Sequence, residues 1–109
     1  MKIISWEGVE PREVSLGVKV RTLVYSDELM VTYVEIEPGA TMPIHHHPHQ
    51  QAGYVIQGTF KFVGDHERVM RAGESYLLAP NQRHGVEALG DETAILLDIF
   101  HPARDRYKR

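Results

Sequence analysis

The chain of 109 residues contains no cysteine. That absence excludes disulfides, zinc knuckles, iron–sulfur clusters and thiol catalysis together, and it suits a reducing, cytoplasmic setting. Long apolar runs are missing as well. None approaches the ~18 residues of a membrane-spanning helix, so no membrane partner is expected. The first ten residues, MKIISWEGVE, carry too short an apolar stretch for a secretory signal. An excess of positive charge is also lacking. Twelve Lys and Arg stand against fifteen Asp and Glu, a net charge of -3, which excludes a broadly basic nucleic-acid binder. Low-complexity stretches, internal repeats and linkers are absent, leaving no place for a boundary. One domain over residues 1–109 is the expectation, at a length close to the common domain size of about 100–150 residues. What the chain has in quantity is histidine. Four of its seven fall between positions 45 and 49.

Turn signals recur along the chain at Glu37-Pro38-Gly39, Gln57-Gly58, Gly64-Asp65, Ala72-Gly73, Pro80-Asn81 and Gly90-Asp91. Between them lie short segments rich in β-branched and aromatic residues: Val18–Tyr25, Met30–Ile36, Tyr54–Ile56, Thr59–Val63, Ser75–Leu78, His84–Ala88 and Thr93–Phe100. Val18, Val20, Thr22 and Val24 share one face of the first, with Lys19 and Arg21 on the other. Many short strands at this spacing predict an all-β fold, a small antiparallel β-barrel or jelly roll. The only local helix candidates are around Glu10–Ser15 and after Pro102. Small antiparallel domains must close their edges or pair them with a copy. Val18–Tyr25, read as an edge strand, predicts a homodimer; a closed monomeric barrel is the alternative.

In extended chain His45 and His47 project to one side, about 6.6 Å apart, and His46 points the other way. Two imidazoles so placed can share a metal ion. Gln51, four residues beyond His47, offers a carbonyl oxygen, with His49 or Gln50 as substitutes if the chain shifts at Pro48. A third imidazole would come from His84, which follows the tight Ala79-Pro80-Asn81 turn. This donor set suits one divalent transition metal ion such as Zn, Ni or Fe, with Mn admitted by the oxygen ligand. The bland alternative is a solvated histidine loop. His46, His49, His66 and His101 read as surface residues.

The last strand has two faces, Ala94, Leu96, Asp98 and Phe100 on one and Ile95, Leu97 and Ile99 on the other. The isoleucine and leucine face suits sheet-on-sheet packing, which would leave Asp98 and Phe100 at a pocket mouth. An acid, an aromatic wall and Arg104 just beyond the strand suit a small anionic substrate. Arg104 would hold a carboxylate and Asp98 would move protons. The competing reading puts Arg104 in a solvated basic tail, Arg104–Arg109, and makes Asp98 and Phe100 structural.

These segments resemble the two motifs of the cupin superfamily. Gly39, five residues, His45-His46-His47, three residues, Gln51, six residues and Gly58 follow the first motif, with Gln where Glu is usual. Gly73, Leu78-Ala79-Pro80-Asn81, His84 and Ala88 look like the second, with Asn81 for a glycine and Ala88 for an asparagine. Asn81 tolerates left-handed backbone geometry. Within the superfamily the chain is most similar to the pectin-degradation cupins that linearise unsaturated uronates. Gln51-Ala52-Gly53-Tyr54-Val55, His84-Gly85-Val86 and Leu97-Asp98-Ile99-Phe100-His101-Pro102-Ala103-Arg104 carry that likeness.

The resemblance implies a cupin barrel with metal ligands His45, His47, Gln51 and His84, and with Asp98, Phe100 and Arg104 as catalytic or substrate-contacting residues. It implies conversion of a 4,5-unsaturated uronate into its open-chain keto form, an isomerase or lyase type of reaction in carbohydrate metabolism. A transition-metal dioxygenase and a non-catalytic small-molecule or carbohydrate-binding cupin are the alternatives.

Overall fold

The structure is a computed structural model that describes residues 1–109. Ten strands form: β1 (Arg12–Ser15), β2 (Val18–Tyr25), β3 (Met30–Ile36), β4 (Thr41–His45), β5 (Gln50–Gln57), β6 (Thr59–Gly64), β7 (Arg68–Arg71), β8 (Ser75–Leu78), β9 (His84–Leu89) and β10 (Ala94–His101). They make two sheets, one in the order β1-β2-β3-β10-β5-β8 and one in the order β4-β9-β6-β7. Every neighbouring pair is antiparallel. The expected all-β jelly roll is what forms, and no helix is long and apolar enough to cross a membrane.

Period two decides what is buried. On β3, Met30, Thr32, Val34 and Ile36 are buried while Val31, Tyr33 and Glu35 are less so. Val18 and Val20 of β2 and Leu96 of β10 join them on the inner face. From the other sheet come Phe60, Phe62 and Val86. Phe60 is fully buried and meets Phe62 edge-on, with ring centroids 5.0 Å apart.

Three expectations need correcting. The face of β10 packed inside is Ala94, Leu96, Asp98 and Phe100; Ile99 is 39% exposed on the outside. The Ile95, Leu97 and Ile99 face therefore lies on the outer side of its sheet and does not make the sheet-on-sheet contact. Glu10–Ser15 is no helix: Arg12–Ser15 pairs with β2 as a strand, and beyond Pro102 there is a single 3₁₀ turn over Asp105–Tyr107. Finally, β2 is not an edge strand. β1 pairs with its first half, and beyond that the Arg109 side chain donates to the Leu23 carbonyl. The edge argument for a homodimer loses its premise.

The connection from β5 to β6 carries the chain from one sheet to the other through Gly58, at φ 81°. A Cβ there would lie 2.8 Å from the Ala94 Cα and 2.9 Å from the Thr93 carbonyl oxygen. Gly39 has the same left-handed backbone, at φ 78°, but open space around it. Gly39→Ala should therefore cost only the left-handed term, about 1–2 kcal/mol. Gly58→Ala adds a clash with backbone that cannot step aside, and should cost at least about twice as much. Urea denaturation of the two variants checks this, and equal losses would contradict it.

Candidate functional site

Two strands of the smaller sheet bring the first two imidazoles together. In the β4–β9 register His45 lies directly opposite His84. The chain leaves β4 after His45, so the connection to β5, and not the strand pleat, positions His47. The turn before β9 pins that connection. Asn81 there takes φ 63°, the left-handed geometry expected of it, and its N–H donates to the His47 carbonyl at 2.7 Å. The ring centroids of His45 and His84 are 4.4 Å apart, and those of His47 and His84 are 5.2 Å apart. One ring nitrogen from each of the three lies within 4.8 Å of the others.

Hydrogen bonds orient these rings. His45 Nδ1 meets the Pro43 carbonyl and His84 Nδ1 meets the Gln82 carbonyl, each at 2.8 Å. A carbonyl only accepts, so both rings carry their proton on Nδ1 and leave Nε2 with a free lone pair. Gln51, on β5 in the other sheet, turns Oε1 toward His47 Nε2 at 3.2 Å. Two ligands of one ion, each about 2.1 Å from it, stand about 3.0–3.4 Å apart. Gln51 also interacts with the Asp98 carboxyl group, pulling its pKa down against burial. A carboxylate accepts, so the amide nitrogen faces Asp98 and the oxygen faces the histidines. Burial, with help from the nearby Arg104 charge, lowers the pKa of all three imidazoles, and that of His47 to about 4. Neutral imidazole is the ligating form. Three neutral rings and an amide oxygen are thus compatible with one divalent ion.

Beside the histidines lies a small cavity of about 30 Å³. Six of the seven residues singled out in the sequence line it: His45, Gln51, His84, Asp98, Phe100 and Arg104. The seventh, His47, sets its ring against Phe100 at 5.8 Å. Asp98 is 6% exposed and is the one carboxyl group of the lining. Burial raises its pKa to about 6 against the opposing pull of the Tyr76 hydrogen bond, of Gln51 and of the Arg104 charge. Arg104 is 8% exposed, so the solvated-tail reading fails for it. Its guanidinium carbon lies 5.4 Å from the Phe100 ring centroid and 4.4 Å from that of Tyr107. The segment around it is tied down: Ala103 N–H donates to the Asp27 carbonyl, and the Tyr107 carbonyl accepts from Thr22 and Arg12.

Of the other histidines, His46, His66 and His101 are exposed. His49, expected at the surface, is half-buried with its ring 5.2 Å from that of His47. It stands outside the three-histidine group, and Gln50 is exposed. Tyr76 and Tyr107 also line the cavity and went unnoticed in the sequence. For Tyr76 a signal existed, since Gly53 sits inside a strand, where glycine marks a close approach.

The profile of the cupin domain family matches residues 32–100. The pectin degradation protein KdgF of Dickeya dadantii is 36% identical over 94 residues, which is 84% of each chain. Among solved structures, an RmlC-like cupin from Shewanella frigidimarina superposes with a TM-score of 0.90 at 30% identity, covering 99% of this chain and 96% of that one. The structure of KdgF from Halomonas sp. gives a TM-score of 0.90 at 25% identity over 99% of both chains. The polyketide cyclase RemF from Streptomyces resistomycificus shares the fold, at 21% identity and a TM-score of 0.86 over 96% of this chain and 82% of that one.

The clustered imidazoles generate a direct prediction. Zinc or nickel titrated into metal-free protein should bind at one ion per chain. A hundredfold excess over Kd should stabilise the fold by about 2.7 kcal/mol. His84→Ala and His47→Ala should each weaken binding by more than about tenfold. Calorimetry and thermal melts read both effects; a melting temperature indifferent to metal would overturn the expectation.

Proposed function

The chain belongs to the cupin domain family, and from that premise we propose that it is a metal-dependent enzyme that converts a 4,5-unsaturated uronate into its open-chain keto form. The observation that carries this reading is Arg104. It is buried at the cavity, and none of the six ion pairs of the structure includes it. A buried cation without a paired anion is costly, and a ligand carboxylate removes that cost. The guanidinium fork suits a carboxylate held by two parallel hydrogen bonds. A uronate brings a carboxylate. The likeness to proteins named for pectin degradation supports the same substrate class.

His45, His47, Gln51 and His84 are the residues that would hold the metal ion. When bound, the ion would supply Lewis-acid polarisation of sugar oxygens. The protein's own groups do the rest. The conversion is an isomerisation in which the anomeric hydroxyl loses a proton. The bond from C1 to the ring oxygen breaks as the C1 carbonyl forms, and the enolate left across C4 and C5 takes a proton at C4 as its oxygen becomes the C5 ketone. Atoms and electrons balance without an oxidant. Asp98, the carboxyl group of the cavity lining, carries those protons, Arg104 fixes the substrate carboxylate, and Phe100 supplies an apolar wall.

Metal-loaded protein mixed with an unsaturated uronate should remove its ultraviolet absorbance faster than buffer does. Asp98→Asn should slow turnover by at least about a hundredfold. Arg104→Ala should chiefly raise KM, and Arg104→Lys should recover part of the loss. Absence of turnover in the native protein, or full activity in Asp98→Asn, would sink this reading.

A further inference from the structure

The inner face of the larger sheet is apolar except at Gln51 and along one line that crosses it. In the register Tyr76 on β8 stands opposite Gly53 on β5, Gly53 opposite Asp98 on β10, Asp98 opposite Thr32 on β3, and Thr32 opposite Thr22 on β2. Adjacent strands are about 4.8 Å apart, so a whole strand, about 9.6 Å in all, separates the backbones of Tyr76 and Asp98. The Tyr76 hydroxyl nevertheless donates a hydrogen bond to Asp98 Oδ1.

It does so because the residue between them has no side chain. A Cβ on Gly53 would lie 2.1 Å from Tyr76 Cζ and 2.3 Å from the hydroxyl oxygen. Gly53 is not among the residues with positive φ, so its role is space and not backbone conformation. The phenol lies across β5 through the gap the glycine leaves. Phe62 and Phe60 hold the ring edge-on from the other sheet, with centroids 4.8 and 6.3 Å away.

Resting on the reading that Asp98 carries the protons, we propose that Tyr76 is a positioning residue for the Asp98 carboxyl group, and that Gly53 is the opening through which it acts. The last torsion of an aspartate is broad, so a carboxyl group without fixed donors samples many orientations. Thr32, its neighbour on the other flank, has a buried hydroxyl with no hydrogen-bond partner in the protein and does not fix it. The Gln51 amide is oriented toward His47 as well as Asp98. Tyr76 is the donor whose ring is itself immobilised by packing. A proton carrier must meet the reacting atoms within a fraction of an ångström, which is what such a clamp supplies.

Tyr76→Phe removes the hydroxyl and keeps the ring, so packing against Phe60 and Phe62 survives. With the unsaturated uronate, kcat should fall by between about tenfold and a hundredfold, while KM changes by less than about twofold. A crystal structure of the variant should show the Asp98 carboxyl group rotated or spread over several orientations. The two results together support positioning. An unchanged kcat, or a lowered kcat with Asp98 unmoved, overturns it. If the native protein does not turn over the uronate, the functional reading fails by itself and the crystal structure decides alone: Asp98 held in place without the hydroxyl overturns the clamp, and its release supports it.

Discussion

A guanidinium charge carried into an apolar sandwich without a direct ion pair constrains the structure around it. Arg104 lies past the end of β10, in a segment whose composition suggests a solvated tail, yet it is held inside. Chain distant in sequence does the holding. Asp27 anchors Ala103 through the backbone, and Thr22 and Arg12 both bind the Tyr107 carbonyl at 2.6 Å. The rings of Phe100 and Tyr107 face the cation, a contact worth up to about 2 kcal/mol when desolvated. The charge then acts on its surroundings. It adds to burial in keeping His45, His47 and His84 neutral, and it pulls against burial at Asp98. One buried arginine thus connects the tail, the histidine cluster and the acid.

The strands that reach this region change character along their length. On β10 the inward residues run from Ala94 and Leu96, which are core, to Asp98 and Phe100, which face the cavity. On β5 they run from Gln51 through Gly53 to Val55. β2 runs from Val18 and Val20 to Thr22. Each strand therefore anchors its polar end by burying its apolar end. A buried polar group left unpaired costs about 1–3 kcal/mol. The core at the other end of the same strands is what lets the sandwich carry a histidine cluster, an acid and a cation side by side.

The sequence made the strands and the ligand spacing readable because both are local. Period two located β2, β3 and β10, and placed Asp98 and Phe100 on one face. It could not say why that face is inside. Both faces of Thr93–Phe100 are apolar enough to be core, and the more hydrophobic one turned out to be the outer one. β1, β4 and β7 escaped notice because charged residues in Arg12–Ser15 and Arg68–Arg71 and Pro43 in Thr41–His45 weaken the strand pattern. The burial of Arg104 was out of reach for a different reason. It depends on partners some 75 to 95 residues away, as the Asp27, Thr22 and Arg12 contacts do. Tyr76 reads as an ordinary strand residue until the register sets it across Gly53 from Asp98.

The same register gives a physical reason for glutamine where the superfamily pattern has glutamate. Gln51 faces two ways, with its oxygen toward His47 and its amide nitrogen toward Asp98. A glutamate at this position would present oxygen to both. Its second carboxylate oxygen would then meet the Asp98 carboxylate in a site with little water to screen the repulsion, and one of the two acids would have to take up a proton. The amide avoids this by donating where the carboxylate accepts. It also leaves the three imidazoles with a neutral fourth donor. The choice at position 51 follows from the acid at position 98, and the acid is in turn held from its other side by Tyr76.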